Sequence, residues 1–135
     1  MKYLLFAMLF LCFAFGATGQ KTSATIAGKN GGLISKEALI GAGKLVLVNG
    51  TQGCYVDSFK MAITYKWKAN CDTVASPKPM EADNNMLTAK MIKALKTDWG
   101  YKGCYTIYVT FYNIIWGSPD RYMNHIDNIS FTLTK

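Results

Sequence analysis

Apolar and polar residues alternate along three segments of the chain, and this pattern predicts β-strands. Between Asp57 and Lys68, every odd position from Phe59 onward is apolar, and most even positions are polar or charged. Similar alternation runs from Tyr105 to Trp116 and from Asn128 to Thr134. A period of two residues is typical of strands that bury one face only. The chain is therefore predicted to contain an antiparallel sheet.

The alternation also predicts which side chains face the core. On the first strand these are Phe59, Met61, Ile63, Tyr65 and Trp67. On the long second strand they are Tyr105, Ile107, Val109, Phe111 and Ile115. On the last strand they are Ile129, Phe131 and Leu133. The opposite face of the second strand is predicted to carry Cys104, Thr106, Tyr108, Thr110, Tyr112, Ile114 and Trp116.

Two short helices are predicted between the strands. Ser35 is a suitable N-cap for a helix over Lys36–Ile40, and Thr88 for one over Ala89–Thr97. Short strands are predicted over Thr22–Ala27 and Lys44–Val48. The remaining segments are predicted to be loops, including the proline-containing stretch 70–85 and the stretch before the last strand. Short strands with few helices favour a β-sandwich or a small open barrel.

The first residues have the layout of a secretory signal. Lys2 precedes an apolar run from Tyr3 to Phe15, and small residues follow at Ala17 and Gly19. The run is shorter than the roughly 20 residues that a membrane helix needs. We therefore expect a signal peptide over residues 1–19, a glycine-rich linker over 20–32 and one β domain over 33–135. We also expect the chain to be exported and, after cleavage, not to be inserted in a membrane. The alternative is that the segment stays uncleaved as a membrane anchor.

The chain is basic, with a formal net charge of +7 from 15 basic and 8 acidic residues. Arg121 is its single arginine, whereas bidentate recognition of phosphates and bases favours arginine. We therefore expect no nucleic-acid partner. Lys90, Lys93 and Lys96 share one side of the second predicted helix. They form either a solvated helix face or a docking surface for an acidic protein.

Three cysteines, Cys54, Cys71 and Cys104, follow the signal segment. In an oxidising compartment this number predicts one disulfide and one odd thiol. Cys71 follows the first long strand and Cys104 opens the second, so antiparallel pairing favours a Cys71–Cys104 bond. Cys54–Cys104 is the competing pair, since both cysteines follow a glycine at a strand opening. The odd cysteine offers a route to an oligomer.

No catalytic or metal-binding pattern accompanies the strands. His125 is the only histidine, and we expect it in a surface loop rather than beside a nucleophilic cysteine. The aspartates fall mostly in predicted turns, and the acidic spacing gives little support for a calcium site. We expect no enzyme activity, no metal and no cofactor. The remaining alternative is an enzyme whose active site the sequence pattern does not reveal.

An aromatic strip is the best candidate for function. Tyr108, Tyr112 and Trp116 recur every four residues on one predicted face of the long strand. Exposed aromatic side chains suit contact with a protein or a sugar. The other interpretation is that this face packs against a second sheet or under the first helix.

Two segments resemble the C-terminal domain of the gliding-motility and type IX secretion protein GldM. The first is Ile34–Leu39, followed by a glycine and a short strand. The second contains, in order, Leu87-Thr88, the helix Met91–Lys96, Gly103, the strand to Phe111, Ser118-Pro119-Asp120 and Ile129-Ser130-Phe131. With the strand at Phe59–Trp67 between them, the resemblance spans residues 31 to 135.

The resemblance implies an immunoglobulin-like antiparallel β-sandwich in the periplasm. It also implies contact with protein partners in the cell envelope, components of the secretion machine among them. The chain lacks the long preceding domains of that family, so a motor role is not implied. We expect an exported, non-catalytic interaction or scaffold module, periplasmic or released into the medium. The alternative is a small secreted carbohydrate- or peptide-binding protein that uses the aromatic strip.

Overall fold

Strands make up most of the structure, a computed structural model that describes residues 21–67, 73–74, 79–97 and 105–134. The strands are β1 (Ser23–Thr25), β2 (Gly32–Ser35), β3 (Val46–Val48), β4 (Tyr55–Trp67), β5 (Thr73–Val74), β6 (Met80–Ala82), β7 (Tyr105–Gly117), β8 (Met123–Ile126) and β9 (Ile129–Thr134). The helices are α1 (Lys36–Ala42) and α2 (Ala89–Lys96). The predicted mostly β chain with two short helices is confirmed, and the immunoglobulin-like arrangement stays a prediction.

Two sheets organise the strands. The larger has seven strands in the order β2-β9-β7-β4-β5, with β6 also paired to β4 and β8 to β7. β2 and β9 are parallel, and the other pairs are antiparallel. β1 and β3 form a separate antiparallel pair. The long β4–β7 ladder runs from the pair Tyr55 and Gly117 to the pair Trp67 and Tyr105.

One cluster of buried side chains holds the two sheets and both helices together. Phe111 on β7 packs edge to face against Phe59 on β4 and Phe131 on β9, with ring centroids 5.8 and 6.3 Å apart. The predicted inward residues that the structure describes as buried are Phe59, Met61, Ile63, Tyr65, Val109, Phe111, Ile129 and Phe131. The helices add Leu39, Met91 and Leu95, β1 adds Ala24, and the residue before β3 adds Leu45. The large sheet therefore buries one face.

Both helices begin where the sequence predicts. The Ser35 hydroxyl accepts a hydrogen bond from the Ala38 N–H at 3.1 Å, and the Thr88 hydroxyl accepts one from the Met91 N–H at 3.2 Å. Such caps satisfy N–H groups that have no partner inside a helix. α1 ends at Gly43, whose φ of 66° suits glycine. Neither helix has the length and apolarity that a bilayer crossing demands, within the residues described.

The segment predicted to be a linker contributes to the core. β1 pairs with β3 through residues 23–25, and Ala24 and Ile26 are both buried in the common cluster. Ile26 also exchanges two backbone hydrogen bonds with Lys29, which closes a tight turn. A flexible linker has no reason to bury apolar side chains. The packed part of the chain therefore extends back to Ser23.

Two segments predicted as loops form strands. Met80–Ala82 pairs with Phe59–Met61 on β4, and it buries Met80 and Ala82 while Glu81 faces outward. Met123–Ile126 pairs with the end of β7 and buries Ile126. The first alternates over three residues only, and the second buries one residue of four, so neither carries a strong signal in the sequence.

A β-bulge in β7 changes which side chains face the core beyond Phe111. Lys60 pairs with Tyr112 and Ser58 pairs with Ile115, so two residues of β7 lie opposite Phe59 alone. The first of these two residues, Asn113, has a φ of 47°, in the left-handed region that asparagine tolerates better than most residues. The bulge shifts the alternation of β7 by one residue.

The predicted faces of the last part of β7 are therefore wrong. Ile114 is fully buried, and Ile115, predicted to point inward, is only half-buried. Trp116, predicted on the outward face, packs against the core cluster. Trp116 also pairs with Val56, which is buried, so both side chains lie on the inward face.

Candidate functional site

The outward face of the large sheet carries the first candidate site. Tyr108, Thr110 and Tyr112 alternate along β7, and each is half-buried, whereas Val109 and Phe111 between them are fully buried. A strand flanked on both sides keeps this contrast only when one face lies against the core and the other faces solvent. We name this surface the outward face; its described members include Lys60, Ala62, Thr64, Glu81, Tyr108, Thr110, Tyr112, Ser130 and Thr132. The exposed Leu33, the ladder partner of Thr132, lies on the same face at the β2 edge.

The structure keeps two of the three predicted aromatic residues together. Tyr108 and Tyr112 remain on the outward face, four residues apart on a strand that rises about 3.3 Å per residue. Trp116 leaves the strip because the bulge at Asn113 turns it inward, where its ring lies 6.4 Å from that of Tyr122. The predicted strip of three aromatic side chains is thus a pair of tyrosines.

Polar groups surround the two tyrosines. The hydroxyls of Thr110 and Ser130 are 3.1 Å apart between them, on neighbouring strands. Lys60, the ladder partner of Tyr112, forms an ion pair of 2.7 Å with Glu81. Its hydrogen bond to Glu81, and the attraction between the two charges, raise the pKa of Lys60 above its ordinary value of 10.5. The outward face is therefore a flat surface of tyrosines and hydroxyls with a paired charge at one side.

The three lysines of α2 form a second predicted surface. Lys90, Lys93 and Lys96 are exposed, on the side opposite the buried Met91 and Leu95. In the described part of the chain, none of the three ammonium groups forms an ion pair. Lys93 and Lys96 lie in the last turn, where a cation stabilises the helix dipole. Stabilisation of the helix thus accounts for Lys93 and Lys96. An acidic protein partner for the three lysines stays a prediction.

The described cysteine, Cys54, lies at one end of the long ladder. Cys54 directly precedes Tyr55, and its thiol is half-buried, unbridged and 3.1 Å from the hydroxyl of Thr51. The other end of the ladder is the pair Trp67 and Tyr105, and the 13-residue β4 spans about 40 Å between the two ends.

Cys71 and Cys104 themselves lie outside the described residues. Tyr105 follows Cys104 in the sequence and pairs with Trp67, four residues before Cys71. A disulfide needs α-carbons within about 7 Å. The register therefore supports Cys71–Cys104 over Cys54–Cys104, and the disulfide itself stays a prediction.

His125 lies in strand β8 rather than in the predicted surface loop. It pairs with Ile115 and is exposed. Within the ranges that the structure describes, no cluster of histidine, cysteine, aspartate or glutamate is arranged to hold a metal ion. Cys54, the described cysteine, directly precedes Tyr55, whose ladder partner Gly117 lies two residues beyond Ile115, the partner of His125.

A groove that the sequence analysis missed lies between β3 and the start of β4. Its volume is about 370 Å³, and it is lined by Lys44, Leu45, Val46, Leu47, Cys54, Tyr55, Val56 and Asn85. The lining combines apolar side chains from Leu45–Leu47, Tyr55 and Val56 with the polar groups of Lys44 and Asn85. The signal in the sequence was the apolar run Leu45–Val48, in which every residue is apolar although a half-buried strand would alternate.

No protein-family model matches this chain, and no curated protein matches it.

Proposed function

We propose that this chain is an exported, non-catalytic protein-interaction module that contacts a partner through the outward face of its large sheet. The layout of residues 1–19 supports export, and the periplasm is the compartment that the resemblance to the GldM C-terminal domain implies. The chain would act there as a free-standing scaffold or adaptor in the cell envelope, with components of the secretion machine among its partners.

The half-exposed pair Tyr108 and Tyr112 carries the proposal. Both tyrosines lie on the central strand of a face on which every described residue is half-buried or exposed. Tyrosine is enriched in protein interfaces because its ring gives contact area and its hydroxyl keeps a hydrogen bond. The neighbouring hydroxyls of Thr110 and Ser130 add groups that can bond to a partner.

A small carbohydrate-binding or peptide-binding protein is the second candidate. The observation that favours it is the same tyrosine pair with hydroxyls between the rings, since sugars stack on aromatic rings and bond to hydroxyls. The inward position of Trp116 weakens this candidate, because it removes the largest ring from the surface. The two candidates differ in the class of ligand, and they share the surface.

Photo-crosslinking from the outward face tests the proposal. Benzoylphenylalanine placed at Tyr108 replaces one aromatic side chain by another in the middle of this face. The matched control places it at Lys93, on the exposed side of α2. Each variant is exported from its full-length reading frame and irradiated in the periplasm.

A protein adduct that forms from position 108 and not from position 93 is the expected result. A glycan adduct from position 108 would support the second candidate instead. Equal adducts from both positions, or none from position 108, would refute the outward face as a contact surface. Identification of the adduct by mass spectrometry also tests the link to secretion components.

A further inference from the structure

Most of the exposed large apolar side chains that the structure describes lie on β3, beside the groove or at the corner around Gly117. The described large apolar residues with exposed side chains are Leu33, Val46, Val48, Tyr55, Met86, Tyr122 and Met123. Val46 and Tyr55 line the groove, and Met86 follows the lining residue Asn85. Exposed apolar side chains that lie close together mark binding surfaces in many monomeric proteins.

The corner beside the groove extends the apolar surface. Tyr55 and Met123 both lie against Gly117, and Tyr122 packs on Trp116 in the next pair of the ladder. Leu33 alone lies elsewhere, on the edge strand β2. We name the group Val46, Val48, Tyr55, Met86, Tyr122 and Met123 the apolar rim.

The backbone of β3 faces the groove along one edge. In an extended strand, successive residues direct their N–H and C=O groups to opposite edges. Leu45 donates its N–H to the Asn85 carbonyl and accepts from the Asn85 carboxamide, so its groups point away from β1. Leu47, two residues later, directs its own N–H and C=O to that same edge. Leu47 also lines the groove, where a further extended segment can bond to it.

A positive charge lies beside this edge. Lys44 lines the groove, is exposed, and forms no ion pair with any described residue. The segment from Lys44 to Gly50 contains no acidic residue. A second copy of the chain that paired through β3 would therefore bring no carboxylate from that segment to Lys44. Charge complementarity favours a different partner, one with an acidic residue.

We infer that the groove binds an extended segment of a partner protein, with alternating apolar side chains and an acidic residue opposite Lys44. The segment would add a strand to the edge of β3 that faces the groove, bond to the peptide groups of Leu47 and pack its apolar side chains on the apolar rim. This inference rests on the proposed role as an interaction module, and it assigns a surface distinct from the outward face.

A model peptide provides the direct test. The probe is a six-residue peptide in which valine alternates with threonine, with one glutamate in place of a threonine. It is titrated into the isotope-labelled exported protein, and backbone amide shifts are followed by NMR. We expect shifts at Val46–Val48 and Tyr55, and slower alkylation of Cys54 in the presence of the peptide.

Matched variants separate the parts of the inference. Val46→Asp on the apolar rim is expected to weaken peptide binding about tenfold, since it removes apolar area that the bound peptide would cover. Leu33→Asp also replaces an exposed apolar side chain by aspartate, but outside the apolar rim, so we expect no effect on peptide binding. Lys44→Glu is expected to weaken binding about two- to fivefold and to reverse the preference toward a lysine-containing peptide. Lys93→Glu is the control for charge.

Other outcomes overturn the inference. Peptide shifts on Tyr108 and Tyr112, or equal effects of Val46→Asp and Leu33→Asp, would place binding elsewhere. Concentration-dependent shifts of Val46–Val48 without peptide would identify a second copy as the occupant. Absence of any shift at millimolar peptide would refute the groove as a docking site. Failure of the groove leaves the crosslink from position 108 intact, so the two proposals are tested independently.

Discussion

The ring of Tyr55 lies against Gly117, its partner across the long ladder. A Cβ atom on Gly117 would meet Tyr55 Cζ and Oη at 2.7 Å, and Met123 Sδ at 2.9 Å. The absence of a side chain at 117 thus lets two apolar side chains from neighbouring strands pack over the backbone. A second glycine of this corner, Gly53, is similarly close to Pro119, whose Cγ would be 2.7 Å from an added Cβ.

Alanine at these two glycines should have unequal effects. Gly117→Ala meets the ends of two partly exposed side chains that can rotate away, so we expect a loss below about 1 kcal/mol in the free energy of unfolding. Gly53→Ala meets a rigid proline ring and also has a φ of 84°, so we expect a loss of about 1–3 kcal/mol. Urea denaturation measures both.

Gly41 provides the control for these substitutions. An added Cβ at Gly41 meets nothing within 4 Å, and the residue lies inside α1. Gly41→Ala should therefore stabilise the protein by about 0.5–1 kcal/mol. Equal destabilisation by all three substitutions would contradict the packing described at this corner.

The bulge in β7 and simple alternation predict opposite stability effects for two neighbouring isoleucines. Ile114 is fully buried, so Ile114→Ala should cost about 2–5 kcal/mol in the free energy of unfolding. Ile115 is half-buried, and Ile115→Ala should cost less than about 1 kcal/mol. Simple alternation predicts the opposite order. The urea midpoints of the two variants, each compared with that of the unsubstituted protein, decide between the two orders.

Asn113 should tolerate glycine better than a β-branched residue. Its φ of 47° is accessible to glycine without strain, whereas valine is disfavoured there. We expect Asn113→Gly to leave stability nearly unchanged and Asn113→Val to cost about 1–3 kcal/mol. Similar melting curves for the two variants would mean that the bulge is absent or lies at another residue.

Sequence reasoning predicted those elements that obey a single local rule. The alternation from Phe59 to Tyr65 and the caps at Ser35 and Thr88 act within a few residues, and the structure confirms each. The bulge at Asn113 depends instead on the register between two strands. An asparagine inside an alternating run was its only trace in the sequence.

The same limit explains the candidate sites. Tyr108 and Tyr112 precede the bulge, so local alternation assigned their face correctly, and Trp116 follows it. The groove forms between Leu47 and Tyr55 through pairings with β1 and β7, which no local pattern specifies. Surfaces built from a single strand were thus predictable, and those built between strands were not.

The cysteine assignment predicts a defined peptide map. Because the register brings Trp67 next to Tyr105 and leaves Cys54 at the other end of the ladder, we expect a Cys71–Cys104 disulfide and a free Cys54 thiol. Non-reducing digestion and mass spectrometry of protein produced in an oxidising compartment should give one linked peptide and one alkylated at Cys54. A linked peptide containing Cys54 would contradict the assignment, and a Cys54–Cys54 link would indicate a covalent dimer.

Tyr65 should make the protein less stable in strong alkali. Burial raises the pKa of Tyr65 from its ordinary value of 10.0 to about 12. The unfolded chain therefore loses this proton near pH 10, whereas the folded protein keeps it until about pH 12. Between these values the unfolded state binds fewer protons, so the free energy of unfolding falls as the pH rises.

The measurement compares two tyrosine variants between pH 9 and pH 12. Tyr65→Phe removes the buried phenol, so its free energy of unfolding should fall less over this range than that of the unsubstituted protein. Tyr122→Phe removes a tyrosine that is 61% exposed and should keep the full dependence. Because both variants retain the same lysines, the difference between them isolates Tyr65. Parallel curves for the two variants would show that the phenol of Tyr65 ionises as readily in the folded protein as in the unfolded chain.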